Sequence, residues 1–239
     1  DTAEFYENEE GVGAAIAKSG IPREEFFVVT KVWINNSGEE KAYASVKRSL
    51  KKLGTGYADL ILVHQPFGDY YGTYRALERA MEEGLTRAIG VSNFRPDRYY
   101  DLVQHCKITP MVNQLEANVL SQQTEIREVM KEYGTKVMAW GPVAQGKADI
   151  IENEALEELG KKYGKSAAQI GLRFLTQEGI AAIPKSSNPE RIAANIDIFD
   201  FELNEEEMTV LRAMNATDAG TRDYSYLPYV SKLIGQKVL

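Results

Sequence analysis

The sequence predicts an α/β fold in which parallel strands alternate with covering helices, a (β/α)8 TIM barrel of which six strand-helix units are visible. Three observations carry this expectation. Short runs that are apolar on both faces recur along the chain. Each is followed by a stretch with helical spacing and helix-end signals. The 239 residues, 44% of them hydrophobic, suit one barrel-sized core better than two small ones, so residues 1–239 are read as a single domain.

The strand-like runs are EFFVVTKVW (25–33), ADLILVHQP (58–66), RAIGVSNF (87–94), MVNQLEA (111–117), KVMAWGPV (136–143) and GIAAIPKS (179–186). Helices separate them. ENEEGVGAAIAKSG (7–20) carries acids in its first turn and ends at Lys18 and Gly20, which complements the helix dipole at both ends. EEKAYASVKRSLKKLG (39–54) spaces Ala42, Val46, Leu50 and Leu53 along one face and stops at Gly54. Further helices fit 73–84, 96–106, 124–134, 153–164 and 167–179. No linker, low-complexity tract or tandem repeat interrupts the alternation.

A closed barrel needs eight strands of matched tilt and shear. Asp1 stands where the second of them would end. An amino-terminal segment of roughly 30 residues or more is therefore expected ahead of it. A polypeptide starting at Asp1 is expected to be inactive or nearly so, because the strands at 25–33 and 179–186 would be open edges and Asp1 would fray.

Composition narrows the function classes. The formal charge of −7 makes the surface repel polyanions, so nucleic acid is not an expected partner. No apolar run reaches the ~18 residues of a membrane span, and DTAEFYENEE has neither a basic leader nor an apolar h-region. Cys106 is the single cysteine, which excludes an internal disulfide and fits the cytoplasm. A monomer or weak oligomer without a metal site is expected.

Four residues at the tips of apolar segments have the chemistry to protonate a carbonyl oxygen: Asp1 and Tyr6 in DTAEFYENE (1–9), Lys31 in VVTKVW (28–33) and His64 in LILVHQP (60–66). A free tyrosine has a pKa of about 10 and is a reluctant acid. A neighbouring Lys31 ammonium favours the tyrosinate, and an Asp1 carboxylate holds that ammonium charged. Each residue alone also has an ordinary structural reading: a packing tyrosine among 13, a strand-capping lysine, a satisfied histidine, a frayed terminus. His105 reads as a solvated side chain at a helix end.

Seven strings in order, DTAEFYENEEGVGAAI, VVTKVW, LILVHQP, GLTRAIGVSNF, MVNQLEANVLSQQ, VMAWGPVAQG and IPKSSNPERIAANIDIFDFELNEEEM, resemble successive signatures of the aldo-keto reductase family, over residues 1 to about 225. The resemblance implies NADPH-dependent reduction of an aldehyde or ketone. Tyr6 is then the proton donor, Lys31 and Asp1 tune it, and His64 orients the carbonyl. A non-catalytic relative that binds a cofactor or serves a structural role is the alternative.

The chain has no G-x-G-x-x-G fingerprint, so a dinucleotide is held another way. The resemblance assigns the nicotinamide carboxamide to Ser92, Asn93 and Gln114, ring stacking to Trp140, and the pyrophosphate loop to Gly141, Pro142, Val143, Gln145 and Gly146. Lys185, Ser186, Ser187 and Arg191 bring two cations and two hydroxyls to a strand end and the start of a short helix, a setting suited to an anion. The resemblance makes that anion the 2′-phosphate of NADP and gives Asn195 the adenine. Ala194 departs from the family pattern, where Glu is usual. Trp33, Phe67 and Phe94 are expected to line the substrate site, with the tract DYSYLPYVSKL (223–233) at its mouth or packed beneath the barrel. Gln65 stands where many relatives carry Trp and implies a more polar site.

Overall fold

The order of helices and strands is α1 (Glu9–Lys18), β1 (Val29–Val32), α2 (Glu39–Leu53), β2 (Ala58–Val63), α3 (Tyr70–Glu82), β3 (Thr86–Ser92), α4 (Pro96–Val103), β4 (Val112–Glu116), α5 (Thr124–Glu132), β5 (Lys136–Trp140), α6 (Ala148–Ile151), α7 (Glu154–Tyr163), α8 (Ala167–Gln177), β6 (Ala181–Ala182), α9 (Pro189–Ile196), α10 (Glu205–Arg212) and α11 (Leu227–Gly235). The structure, a computed structural model, describes residues 1–146, 148–216 and 226–238. Its six strands are ordered β1-β2-β3-β4-β5-β6, as alternation of strand and helix requires of a parallel sheet. None of the described helices is long and apolar enough to cross a membrane.

The described residues gather into two compact units. The first comprises 1–113, 132–135 and 226–238. Here β1, β2 and β3 pair in parallel, with Val29 opposite Leu60 and Leu60 opposite Ala88. All six residues of β2 are buried, and each of Leu60, Ile61 and Leu62 contributes roughly 1.5–3 kcal/mol by leaving water. Helix α1 lies hard against the end of α2: a Cβ added at Gly13 would meet the Leu53 carbonyl oxygen at 2.0 Å, so no larger residue fits. Gly90 on β3 is equally confined, 2.2 Å from the Val112 carbonyl oxygen by the same construction.

The second unit comprises 114–131, 136–146 and 148–216. There β5 pairs with β6 in parallel, Met138 opposite Ala181. Capping boxes start α8 (Ser166 with Gln169) and α10 (Asn204 with Glu207), each satisfying two orphan backbone donors. The strand expected over 179–186 shrinks to Ala181–Ala182. Pro184 has no N–H to continue a ladder, and β6 ends the strand order with β5 as its neighbour.

Candidate active site

The sequence DTAEFY folds as a 3-10 turn over Glu4–Tyr6, closed by Tyr6 N–H to the Ala3 carbonyl and by Glu7 N–H to the Glu4 carbonyl. Just ahead of it, Thr2 N–H reaches the Val29 carbonyl at 2.8 Å, which docks the segment on β1. Alternation along β1 then aims Lys31 at the segment. Its ammonium donates to Asp1 Oδ1 at 2.6 Å and to the Thr2 carbonyl at 2.8 Å, and its Nζ lies 5.1 Å from the centre of the Tyr6 ring.

His64 sits one residue past β2, its N–H bonded to the Val32 carbonyl. Its imidazole meets the Tyr6 ring edge-on at 5.6 Å and the Trp33 ring at 4.8 Å. The first unit therefore brings Asp1, Tyr6, Lys31 and His64 into one cluster. Tyr6 is half exposed, and Asp1 is exposed as a residue, whereas Lys31 and His64 are buried, so the phenol is open to solvent.

Charge in this cluster is set by burial. The Lys31 side chain has no exposed surface, and desolvation pushes its ammonium from 10.5 down to about 7. The Asp1 carboxylate works against that fall by favouring the charged form. The result is a lysine poised to change charge near neutrality beside a tyrosine.

Of the residues expected to line a substrate site, Trp33 and Phe67 join an apolar cluster with Phe5, Ile34, Tyr229, Leu233 and Val238. Phe5 stacks on Trp33 at 3.9 Å, and the indole N–H donates to the Gln236 carbonyl at 3.0 Å. The described part of the carboxy-terminal tract thus covers Trp33; Asp223, Tyr224 and Ser225 lie outside the described residues. Phe94 has no exposed surface and packs edge-on against Tyr70 at 5.3 Å.

Among residues expected to hold a cofactor, Ser92 and Asn93 end β3 in the first unit. Asn93 adopts a left-handed backbone, φ 63°, and its Nδ2 donates to the Ser92 hydroxyl and to the His64 carbonyl. In the second unit, Gln114 Nε2 lies 3.1 Å from Met138 Sδ and the Trp140 carbonyl accepts from Ala117 N–H. The loop after Trp140 is unusual: Gly141, Ala144, Gln145 and Gly146 all have positive φ. Two of its N–H groups close the loop on itself, Ala144 to the Gly141 carbonyl and Gly146 to the Val143 carbonyl, both at 2.9 Å. Pro142 is buried and Val143 half-buried within it.

Lys185 and Arg191 are exposed and form no ion pair among the described residues. They flank the first turn of α9 with Ser186, Ser187 and Asn188, whose side chain caps the Arg191 N–H. Asn195 is half-buried near the end of α9. Two cations in no ion pair among the described residues, at a helix start that also carries Glu190, still leave a net positive setting that fits a phosphate.

Sequence reasoning missed Glu4. Its carboxylate is buried two residues before Tyr6 and accepts from the Trp33 N–H, from Asn36 Nδ2 at 2.9 Å and from Ser45 Oγ at 2.5 Å. The available signal was a charged residue between Ala3 and Phe5, in a segment that docks on a buried strand.

Residues 1–216 match the profile of the Aldo/keto reductase family. The chain belongs to that family. It is 46% identical over 217 residues to the 9,11-endoperoxide prostaglandin H2 reductase of Trypanosoma cruzi, covering 90% of this chain and 77% of that protein. It is 44% identical to the glyoxal reductase of Bacillus subtilis, covering 90% of this chain and 78% of that one. Among solved structures, an aldo-keto reductase from a Medee basin deep-sea metagenome library superposes with a TM-score of 0.89 at 42% identity, over 94% of this chain and 82% of that one. A Bombyx mori aldo-keto reductase in complex with NADP gives 0.86 at 37% identity, over 94% and 80%. The six-stranded parallel sheet is accordingly that of an aldo-keto reductase barrel.

Proposed function

We propose that this chain reduces a small aldehyde or ketone to an alcohol, with NADPH as hydride donor and Tyr6 as proton donor. The observation that carries the reading is the cluster in which Lys31, held by Asp1 at 2.6 Å, lies 5.1 Å from the centre of the Tyr6 ring while the His64 ring meets it edge-on at 5.6 Å. When bound, the cofactor supplies hydride to the carbonyl carbon. The protein supplies everything else.

As the carbonyl oxygen gathers negative charge, the half-exposed Tyr6 hydroxyl gives it a proton. The Lys31 ammonium favours the tyrosinate left behind, and Asp1 keeps that ammonium charged and in place. His64, neutral, orients the carbonyl through a hydrogen bond. Ser92, Asn93 and Gln114 would hold the nicotinamide carboxamide, Trp140 the ring, and the 141–146 loop the pyrophosphate. Lys185, Ser186, Ser187 and Arg191 would take the 2′-phosphate, and Asn195 the adenine. Trp33, Phe67 and Phe94 would contribute apolar wall. Gln65, whose carbonyl accepts from the Phe67 N–H, makes that wall more polar and leaves small aldehydes, α-dicarbonyls and keto sugars as candidate substrates. The one cysteine, Cys106, fits a cytoplasmic enzyme.

The test is to incubate the purified full-length protein with a panel of aldehydes, α-dicarbonyls and keto sugars with NADPH or NADH, and to identify the product by mass spectrometry. Alcohol formed faster with NADPH is expected. No alcohol with any member of the panel would remove the proposal.

A further inference from the structure

We propose that Glu4 is a positioning residue for carbonyl reduction: its buried carboxylate ties the turn carrying Tyr6 to the end of β1 and to α2, fixing the phenol beside Lys31 and His64. The proposal rests on the reading of Tyr6 as the proton donor. Three donors from three elements converge on the one carboxylate. Oε1 accepts the backbone N–H of Trp33, just past β1. Oε2 accepts Asn36 Nδ2 from the next 3-10 turn at 2.9 Å and Ser45 Oγ from α2 at 2.5 Å. Both oxygens are engaged.

The leverage is short. Glu4 opens the same three-residue turn that Tyr6 closes. Its other end holds Trp33, whose indole stacks under Phe5 and meets His64 edge-on. One side chain thus sets the spacing between the turn that presents the phenol and the aromatic wall behind the imidazole. Such spacing matters because an error of about 1 Å in a catalytic group can cost about 10²-fold in rate.

A carboxylate is a costly way to hold a buried turn if stability were all it served. Burial raises the Glu4 carboxyl above its ordinary value, opposed by the hydrogen bonds from Ser45, Trp33 N–H and Asn36 and by the nearby Arg48 on α2. No cation lies within ion-pair distance of it among the described residues. A raised group contributes stability in full below its unfolded value and loses that contribution as pH rises through the folded value. Acidification therefore neutralises the clamp without this group unfolding the chain. Loss of activity and loss of fold are separable.

The experiment compares the full chain with Glu4→Gln, Asn36→Ala, Ser45→Ala and Tyr6→Phe. It measures kcat and KM for an aldehyde, NADPH affinity by fluorescence, the pH profile of kcat, and amide exchange by mass spectrometry. Glu4→Gln keeps the shape but sets an amide NH2 against the converging donors. We expect its kcat to fall roughly 10- to 100-fold, with KM and NADPH affinity within about twofold. We expect the acid-side fall in kcat of the parent to vanish in Glu4→Gln. Exchange should quicken at residues 2–8 and 32–36 and nowhere else, a readout that needs no turnover.

Unchanged kcat and unchanged exchange in Glu4→Gln would overturn the proposal, as would faster exchange across the whole chain. Should Glu4→Gln fail to fold, full kcat in both Asn36→Ala and Ser45→Ala overturns it instead. Parent-level turnover in Tyr6→Phe would place the failure with the proton-donor reading. An inactive Tyr6→Phe beside an undiminished Glu4→Gln would place it with Glu4 alone.

Discussion

Replacing Asp1 by asparagine removes the charge facing Lys31 but leaves an oxygen to accept from Nζ. The pair is 2.6 Å apart, and the two side chains are 15% and 0% exposed, so solvent screens it little. At an effective dielectric constant of about 20, Coulomb attraction at that distance is about 6 kcal/mol, and deleting one partner of a buried pair typically costs about 3–5 kcal/mol. At 1.36 kcal/mol per unit, the Lys31 ammonium should fall by at least about 2 units from its position near 7. Its charged fraction at pH 7 then drops from about a half to about one per cent. If a charged Lys31 is what makes Tyr6 an adequate acid, kcat at pH 7 should drop about 50-fold and recover towards pH 5. The assay is the pH profile of NADPH oxidation with a saturating aldehyde, alongside nitrogen NMR of the Lys31 ammonium. An alkaline limb at the same pH in parent and Asp1→Asn would refute this electrostatic role.

In the parent, kcat for reduction should fall as pH rises through about 7, because burial has lowered Lys31 to that value; Lys31→Met should show a low, flat profile. The depressed lysine also contributes stability in full above its ordinary 10.5, lost as pH falls through about 7, which denaturant titration at several pH values can follow. Phe94→Ala, at a fully buried position, should cost about 3–5 kcal/mol in a urea titration and, if the ring lines the substrate site, raise the aldehyde KM as well; an unaltered KM would refute that placement. Lys185→Ala should erode the preference for NADPH over NADH by roughly 10- to 100-fold, the worth of one charge-assisted hydrogen bond, as read by fluorescence titration.

The fold was legible wherever a segment's own residues decide its state. The apolar run Leu60, Ile61, Leu62 and Val63 leaves β2 no solvent face, and the spacing of Ala42, Val46, Leu50 and Leu53 gives α2 one buried face. Lys31 and His64 were legible because polar groups interrupt or end such apolar segments, and Asp1 and Tyr6 because of the chemistry they offer beside them. Glu4 was not, because its partners Trp33, Asn36 and Ser45 stand 29 to 41 residues away. Nor was the covering of Trp33, whose indole partner is 203 residues on in the chain. The length of β6 depended on Pro184 and on where the strand order stops, and only the second of these needs tertiary structure.

The most direct measurement is single-turnover reduction of an aldehyde by NADPH bound to the parent chain and to Tyr6→Phe, with NADPH affinity measured on both. Removing the hydroxyl while keeping the ring should slow alcohol formation by about 10²- to 10⁴-fold at nearly unchanged affinity. Equal rates in the two proteins would contradict a proton supplied by Tyr6, and with it the assignment of Asp1, Lys31 and His64 as its partners.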